Sequence, residues 1–281
     1  MAYRGPRSLD GIHADLTCIR KIISWVLRAR KYLYPIASKE KNILDYVCLK
    51  IRCPEKAWVF NPKGERDVFK LSKIYIARHG ETTWNEEGRI QGRSDPGLSS
   101  KGVSQSFALL NQLKDRPLSA IYTSTLQRSI VTAQPISNHL GLSIQIQPEL
   151  DEIAFGILEA KLLFHFDEEM KAEWNRFKDN RFTYRIPDAE NYADVANRVQ
   201  PFSEKLLRDH QGQEVLVVGH RVVNRLLIGM LMKYPVEKVL KIEQTNDMLY
   251  LIQKNGEAKI FHYVDGQVRE GLVLLGQEVI L

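Results

Sequence analysis

"KIYIARHG", residues 73–80, and "EVLVVGHR", residues 214–221, are two short apolar runs that both end at a histidine. The first passes from Ile74–Ala77 into Arg78, His79 and Gly80, and the second from Val215–Val218 into Gly219, His220 and Arg221. Short runs of β-branched and apolar residues read as buried strands. A buried strand gains nothing from closing in a cation and an imidazole, so these endings ask for a reason. A glycine beside each histidine permits close backbone approach or an unusual dihedral angle. Two strand-to-helix junctions with histidine at the same point can bring both imidazoles to one edge of a sheet.

The pattern around these two runs sets the fold. Strands are expected at Lys73–Ala77, Ala120–Thr123, Ser143–Gln147, Val215–Val218, Met248–Gln253 and Lys259–Tyr263. Helical spacing of apolar residues falls at Ser99–Lys114, Gln127–Leu140, Asn191–His210 and Val222–Met232. Strands separated by helices imply crossover connections and an α/β fold, with a largely parallel sheet covered on both faces. In such sheets ligands sit beyond the carboxyl ends of the strands, where His79 and His220 are expected.

The chain has 281 residues and a net charge of +6, unevenly placed. Residues 1–53 carry a net +7, so the rest is close to neutral. From Leu16 to Leu33 apolar residues recur at helical spacing, with Arg20, Lys21, Arg28, Arg30 and Lys31 interleaved, as in a basic amphipathic helix. A second helix is expected at Lys41–Arg52, and Pro54 and "NPKG" (61–64) mark a boundary, with a hairpin before the first core strand. Two regions follow: a basic, largely helical extension over 1–72 and an α/β domain over 73–281, which holds both histidine junctions. The extension's apolar face fits packing on that domain or on a second copy in a homodimer. Its basic face fits weak contact with an acidic membrane surface, and nucleic acid is not an expected partner. The cysteines, Cys18, Cys48 and Cys53, form no tight pair, which speaks against a disulfide framework or zinc site and for a cytoplasmic setting. No apolar run approaches the ~20 residues of a membrane span, and the start lacks a signal-peptide core.

Two further segments carry chemistry. "IYTSTLQRSIVTA" (121–133) reads as a strand and a helix start, with Ser124 or Thr125 as the cap and Arg128 in the first turn. A helix N-terminus and a guanidinium both suit phosphate oxygens. "ELDEIAFGILEA" (149–160) sets Glu152 in an acidic cluster before an apolar stretch. Histidine can attack phosphorus, arginine can hold its oxygens, and a carboxylic acid can protonate a leaving oxygen. Neither a Walker nor a dinucleotide glycine pattern is present, and no metal or other cofactor is expected.

These blocks, in this order, resemble the histidine phosphatase superfamily, its phosphoglycerate-mutase-like group, over about Ile74–Ile252. "RHGETTWN" is similar to the family signature, "GRIQGRSDPGLSSKG" (88–102) to the loop that follows it, and "VVGHRVV" to the last block. The resemblance implies a three-layer α/β/α sandwich with a mostly parallel sheet. It also implies the roles. His79 becomes phosphorylated, and Arg78, Arg128 and His220 hold the phosphoryl oxygens. Asn85 adds a donor, and Gly92 lies in the substrate loop. Glu152 protonates the leaving alcohol. Two departures stand out: Ala160 follows Glu159 where the family often has glycine, and Arg221 stands where it often has Gly or Gln.

Within the superfamily the sequence is most similar to the fructose-2,6-bisphosphatase domain. "DPGLSSKG" and "NRFTYRIPDAENYADVANRVQPF" (180–202) carry that likeness. It implies that Arg181, Tyr192 and Arg225 contact a second phosphate or the sugar; Arg221, a departure from the family, adds a charge at the pocket wall for the same group, and Leu163 stands where that domain has Tyr. The Glu152–His220 interval is too compact for the insertion of the mutases that use a bisphosphorylated activator. The expected activity is therefore metal-independent phosphomonoester hydrolysis of a small phosphorylated metabolite with a second anionic group, such as a sugar bisphosphate. Phosphoryl transfer of the phosphoglycerate mutase type, phosphoprotein hydrolysis and a non-catalytic phosphate-binding scaffold are the alternatives.

Overall fold

The computed structural model describes residues 71–264 and 266–275. The basic extension, its two expected helices, the hairpin at 61–64 and all three cysteines lie outside these residues. Seven strands form one sheet in the order β3-β2-β4-β1-β5-β6-β7. They are β1 (Ser72–Arg78), β2 (Leu118–Thr123), β3 (Ile144–Ile146), β4 (Glu214–Gly219), β5 (Leu249–Asn255), β6 (Glu257–Val264) and β7 (Gln267–Glu270). The helices are α1 (Thr83–Glu87), α2 (Ser100–Leu113), α3 (Gln127–Leu140), α4 (Glu168–Asp179), α5 (Tyr192–Asp209), α6 (Arg221–Met232) and α7 (Val236–Val239). Among the described residues no helix is long and apolar enough to cross a membrane.

Strand alternation sends side chains to two cores. Ile74, Ile76, Val215 and Val217 pack with Val195, Val199 and Phe202 of α5 and with Val223 and Leu227 of α6. Tyr75, Ala77, Leu216 and Val218 pack on the other face with Leu109 and Leu113 of α2 and Ala133 and Ile136 of α3. Helices thus cover both faces of the described sheet.

The expectation of a mostly parallel sheet needs correction. β1–β4, β4–β2 and β2–β3 pair in parallel, while β1–β5, β5–β6 and β6–β7 are antiparallel. For the last two pairs the reason is the connections. Beyond β5 no helix intervenes, and a turn as short as Asn255–Gly256 can only reverse the chain into an antiparallel neighbour. β7 and α4 were not expected from the sequence.

The register of β1 and β4 places the site. Pairing runs from Lys73↔Glu214 to Arg78↔Gly219, and His79 N extends the ladder by donating to Gly219 O at 3.0 Å. The next residue of each strand is a histidine. On the far side of β4, Thr123 pairs with Val218, which brings Ser124 level with the same point.

Candidate active site

His79 and His220 lie side by side, with ring centroids 5.1 Å apart, and both are buried. His79 Nδ1 sits 2.8 Å from Gly80 O. A carbonyl only accepts, so Nδ1 carries the proton and Nε2 keeps its lone pair. Burial holds the His79 pKa well below the usual histidine value, and Arg78 and Arg128 push it the same way. The ring is therefore a neutral nucleophile at neutral pH. His220 is lowered too, first by burial and then by Arg128 and His79. Its Nε2 meets Ser124 Oγ at 2.7 Å, while Nδ1 is buried without a hydrogen-bond partner.

The chain around His79 is fixed on every side. Asn246 Nδ2 donates to His79 O at 2.7 Å, and Gly80 N donates to Thr132 Oγ1 at 2.8 Å. A Cβ on Gly80 would strike the backbone of Gly102, so this glycine lets α2 close against the loop that follows His79.

Two guanidiniums flank the histidines. Arg128 is 1% exposed, and its Nη atoms donate to Ser94 O and Gly92 O. Its Nε is buried and unpartnered, as is Arg78 Nε. Burial, reinforced by Arg221, pulls Arg78 down to about 10, so it stays charged at neutral pH. Glu152, also buried, is near enough to raise the pKa of both arginines. Its carboxylate accepts from Ile153 N at 3.0 Å and Val222 N at 3.4 Å, at the start of α6. Unspent buried Nε–H donors on two arginines, beside a nucleophilic nitrogen, a second imidazole and a carboxyl group, suit an anionic tetrahedral group such as phosphoryl. Among the described residues no cluster of His, Cys, Asp and Glu could hold a metal ion.

Residues 74–265 match the sequence profile described as histidine phosphatase superfamily (branch 1). The chain belongs to that superfamily. It is 28% identical over 176 residues to the probable phosphoglycerate mutase GpmB of Erwinia tasmaniensis, covering 63% of this chain and 82% of the relative. It is 31% identical over 168 residues to phosphoserine phosphatase 1 of Hydrogenobacter thermophilus, covering 60% and 80%. The α-ribazole phosphatase of Shigella flexneri superposes with a TM-score of 0.62 at 26% identity, over 66% of this chain and 93% of that one. A mycobacterial glucosyl-3-phosphoglycerate phosphatase, solved in complex with VO3, superposes at 0.60 over 72% and 97%; at 23% identity it shows the shared fold. The likeness to the phosphoglycerate-mutase-like group is thus matched by relatives, which are phosphatases and mutases.

The other residues expected at the site are placed as follows. Asn85 forms a reciprocal cap with Thr82 through its Oδ1; its Nδ2 has no partner among the described residues. Gly92 has φ +54°, and a Cβ there would strike Glu159. Arg221 Nη2 pairs with Glu243 at 2.8 Å. Arg225 is buried against Ile242 O and Tyr192 OH. Tyr192 is itself buried among Phe177 and Phe182. Arg181 is partly exposed, and its carbonyl accepts from Tyr192 N.

Several functional residues were not expected. Ser124 does not cap α3, nor does Thr125; Asp95 does so from the preceding loop, accepting from Gln127 N and Arg128 N. Its carboxylate also faces Arg128 Nη1 at 3.4 Å. Glu159 ties the loop by accepting from Arg93 N, Ser94 N and Phe155 N. Arg198 donates to Glu149 O and Glu152 O, bracing the segment that carries Glu152. None of these carried a local signal, because each acts across a contact between segments distant in sequence.

Proposed function

We propose that this chain is a metal-independent phosphomonoester hydrolase working through phosphohistidine. The observation that carries the reading is the His79–Gly80 contact, which leaves the Nε2 lone pair free in a buried, neutral ring between cations. Nε2 attacks phosphorus, and the bond from phosphorus to the ester oxygen breaks. Arg78, Arg128 and His220, which takes up a proton on Nδ1 as the dianion arrives, hold the phosphoryl oxygens, with Asn85 Nδ2 as a further donor. Glu152 gives a proton to the departing alkoxide as general acid. The resulting carboxylate then takes a proton from water as the water oxygen attacks phosphorus. The P–N bond breaks, His79 regains its lone pair, and inorganic phosphate leaves.

The proposed substrate is a small phosphorylated metabolite with a second anionic group, either a sugar bisphosphate or a phospho-acid. Arg221 and Arg181 face it, with Arg225 and Tyr192 behind. The relatives named for phosphoserine and phosphoglycerate support this class, as does the sequence likeness to the fructose-2,6-bisphosphatase domain. The GpmB relatives favour a second reading, a mutase; the short interval between Glu152 and His220 favours hydrolysis. Rapid-quench labelling should give acid-labile, base-stable phosphate on His79, and His79→Ala should abolish both label and turnover. Retained activity in His79→Ala defeats the mechanism. Net phosphate release without isomer exchange separates hydrolase from mutase. Excess EDTA should leave activity intact; a dependence restored by a divalent ion defeats metal independence.

A further inference from the structure

Beside the two histidines lies a charge balance of its own: Arg221 directly follows His220, and Arg221, Arg225 and Glu243 all lie near enough to Arg78 to act on its charge. Arg221 and Arg225 lie four residues apart on α6, hence on one face, and both reach the same carboxylate. Glu243 accepts from Arg221 Nη2 at 2.8 and 3.0 Å and from Arg225 Nη2 at 3.5 Å. Its Oε1 also accepts from Gln244 N at 3.2 Å. Its main chain is pinned, with Tyr250 OH donating to its carbonyl at 2.6 Å and its own N–H donating to Val273 O at 2.9 Å. Glu243 is a fixed counter-charge.

The two guanidiniums are not equivalent. Arg225 is 4% exposed, and its Nε, Nη1 and Nη2 are committed to Ile242 O, Tyr192 OH and Glu243. The Arg221 side chain is 43% exposed, and only its Nη2 is engaged; Nε is buried without a partner. A group arriving on the substrate's distal end therefore meets one open guanidinium. The local sum of Arg221, Arg225 and Glu243 is one positive charge. Arg181, partly solvated ahead of α5, is screened by water.

We propose that Glu243 is the specificity-determining residue of this outer site, holding it at one net positive charge so that it accepts a carboxylate and disfavours a second phosphate. The inference rests on the second-anion reading above and narrows it to phospho-acids. A carboxylate brings one negative charge, whereas a phosphate monoester brings nearly two at neutral pH. The positive charge that Glu243 cancels costs a dianion about twice the attraction it costs a monoanion, while the dianion still gives up more hydration on entering the site, so the balance falls to the carboxylate.

Three esters of one carbon skeleton test this on the full chain: 3-phosphoglycerate, glycerol 3-phosphate and glycerol 1,3-bisphosphate, each normalised to p-nitrophenyl phosphate. In wild type 3-phosphoglycerate should lead in kcat/KM. Glu243→Gln, which removes the charge and keeps the shape, should raise the bisphosphate-to-phosphoglycerate ratio about tenfold, mainly through KM. Arg221→Gln probes the same balance from the other side. It should cut the advantage of 3-phosphoglycerate over glycerol 3-phosphate about tenfold, which keeps the test open if the Glu243 variant fails to fold. An unchanged ratio in Glu243→Gln, with the carboxylate preference lost in Arg221→Gln, overturns the assignment to Glu243 and leaves the second-anion reading standing. Wild-type turnover of glycerol 3-phosphate equal to both anionic esters overturns the two together.

Discussion

Ser124 shows how one hydroxyl can govern a histidine. Its Oγ lies 2.7 Å from both His220 Nε2 and Ser129 Oγ, and Ser129 Oγ donates to Leu126 O at 2.8 Å. Ser124→Ala leaves Nε2 buried without a partner, a loss of about 1–3 kcal/mol. We predict a kcat about tenfold lower on every phosphomonoester, with the ranking of substrates unchanged. A KM-only effect would contradict a role through His220. Glu152 offers a sharper test. Glu152→Gln should slow esters with poor alkoxide leaving groups far more than p-nitrophenyl phosphate, whose leaving group hardly needs a proton. Equal slowing moves the acid elsewhere, though not readily to Glu159, whose carboxylate is engaged by three backbone N–H groups. At this scale the sequence was informative where chemistry and position coincide: His79, His220, Arg128 and Glu152 fall together in one buried cluster. It was silent on Ser124 because a serine between a strand and a helix looks like a cap, and only the tertiary register of β2 and β4 turns it toward a histidine.

The segment between α7 and β5 works as an arm laid over the carboxyl end of β1. Gln244 Nε2 donates to Ile76 O at 2.8 Å, and Gln244 O accepts from Arg78 Nη1 at 3.4 Å. Asn224 Nδ2, from α6, bridges Gln244 Oε1 at 2.8 Å and Ala77 O at 3.0 Å. Asn246 completes the grip at His79 O. Asn246→Ala removes one hydrogen bond, costing about 1 kcal/mol of stability. It should also lower kcat, since the strand end then holds His79 and Arg78 less firmly; a stability loss with full kcat would make the arm merely structural. Strands and crossover helices were legible because each runs apolar at its own period: α3 begins and ends at the expected residues. α4 was not expected although its signals are present: Asp167 caps it, Glu168 and Glu169 open its first turn, and Met170, Trp174 and Phe177 recur at helical spacing on a background polar enough to pass for a loop. The antiparallel half was equally hidden, since apolarity fixes a strand but not the direction of its partner.

For the whole molecule, the two central strands end in a pair of histidines that the fold holds neutral, and this couples stability to pH. Both His79 and His220 have pKa values well below the ordinary value in the folded state, chiefly through burial. In the unfolded chain each titrates near about 6.5. Between that value and the lower folded one, the unfolded state binds more protons than the native state. Stability therefore rises with pH through this window and falls on acidification below about 6.5, by up to about 1.4 kcal/mol per pH unit for each histidine. The carboxylates with lowered pKa, Asp194 paired with Arg185 and Glu190 paired with Arg198, act in the same direction but only at lower pH, as they become protonated. The two windows separate on the pH axis. Urea midpoints measured between about pH 7.5 and about pH 5.5 should thus fall with pH, and His220→Gln should remove about one proton's share of the slope. Inorganic phosphate, bound among Arg78, Arg128 and His220, should oppose the fall, because its negative charge favours a protonated His220. A slope in His220→Gln equal to wild type would mean that this histidine is not held neutral by the fold, and the electrostatics of the site would have to be redrawn.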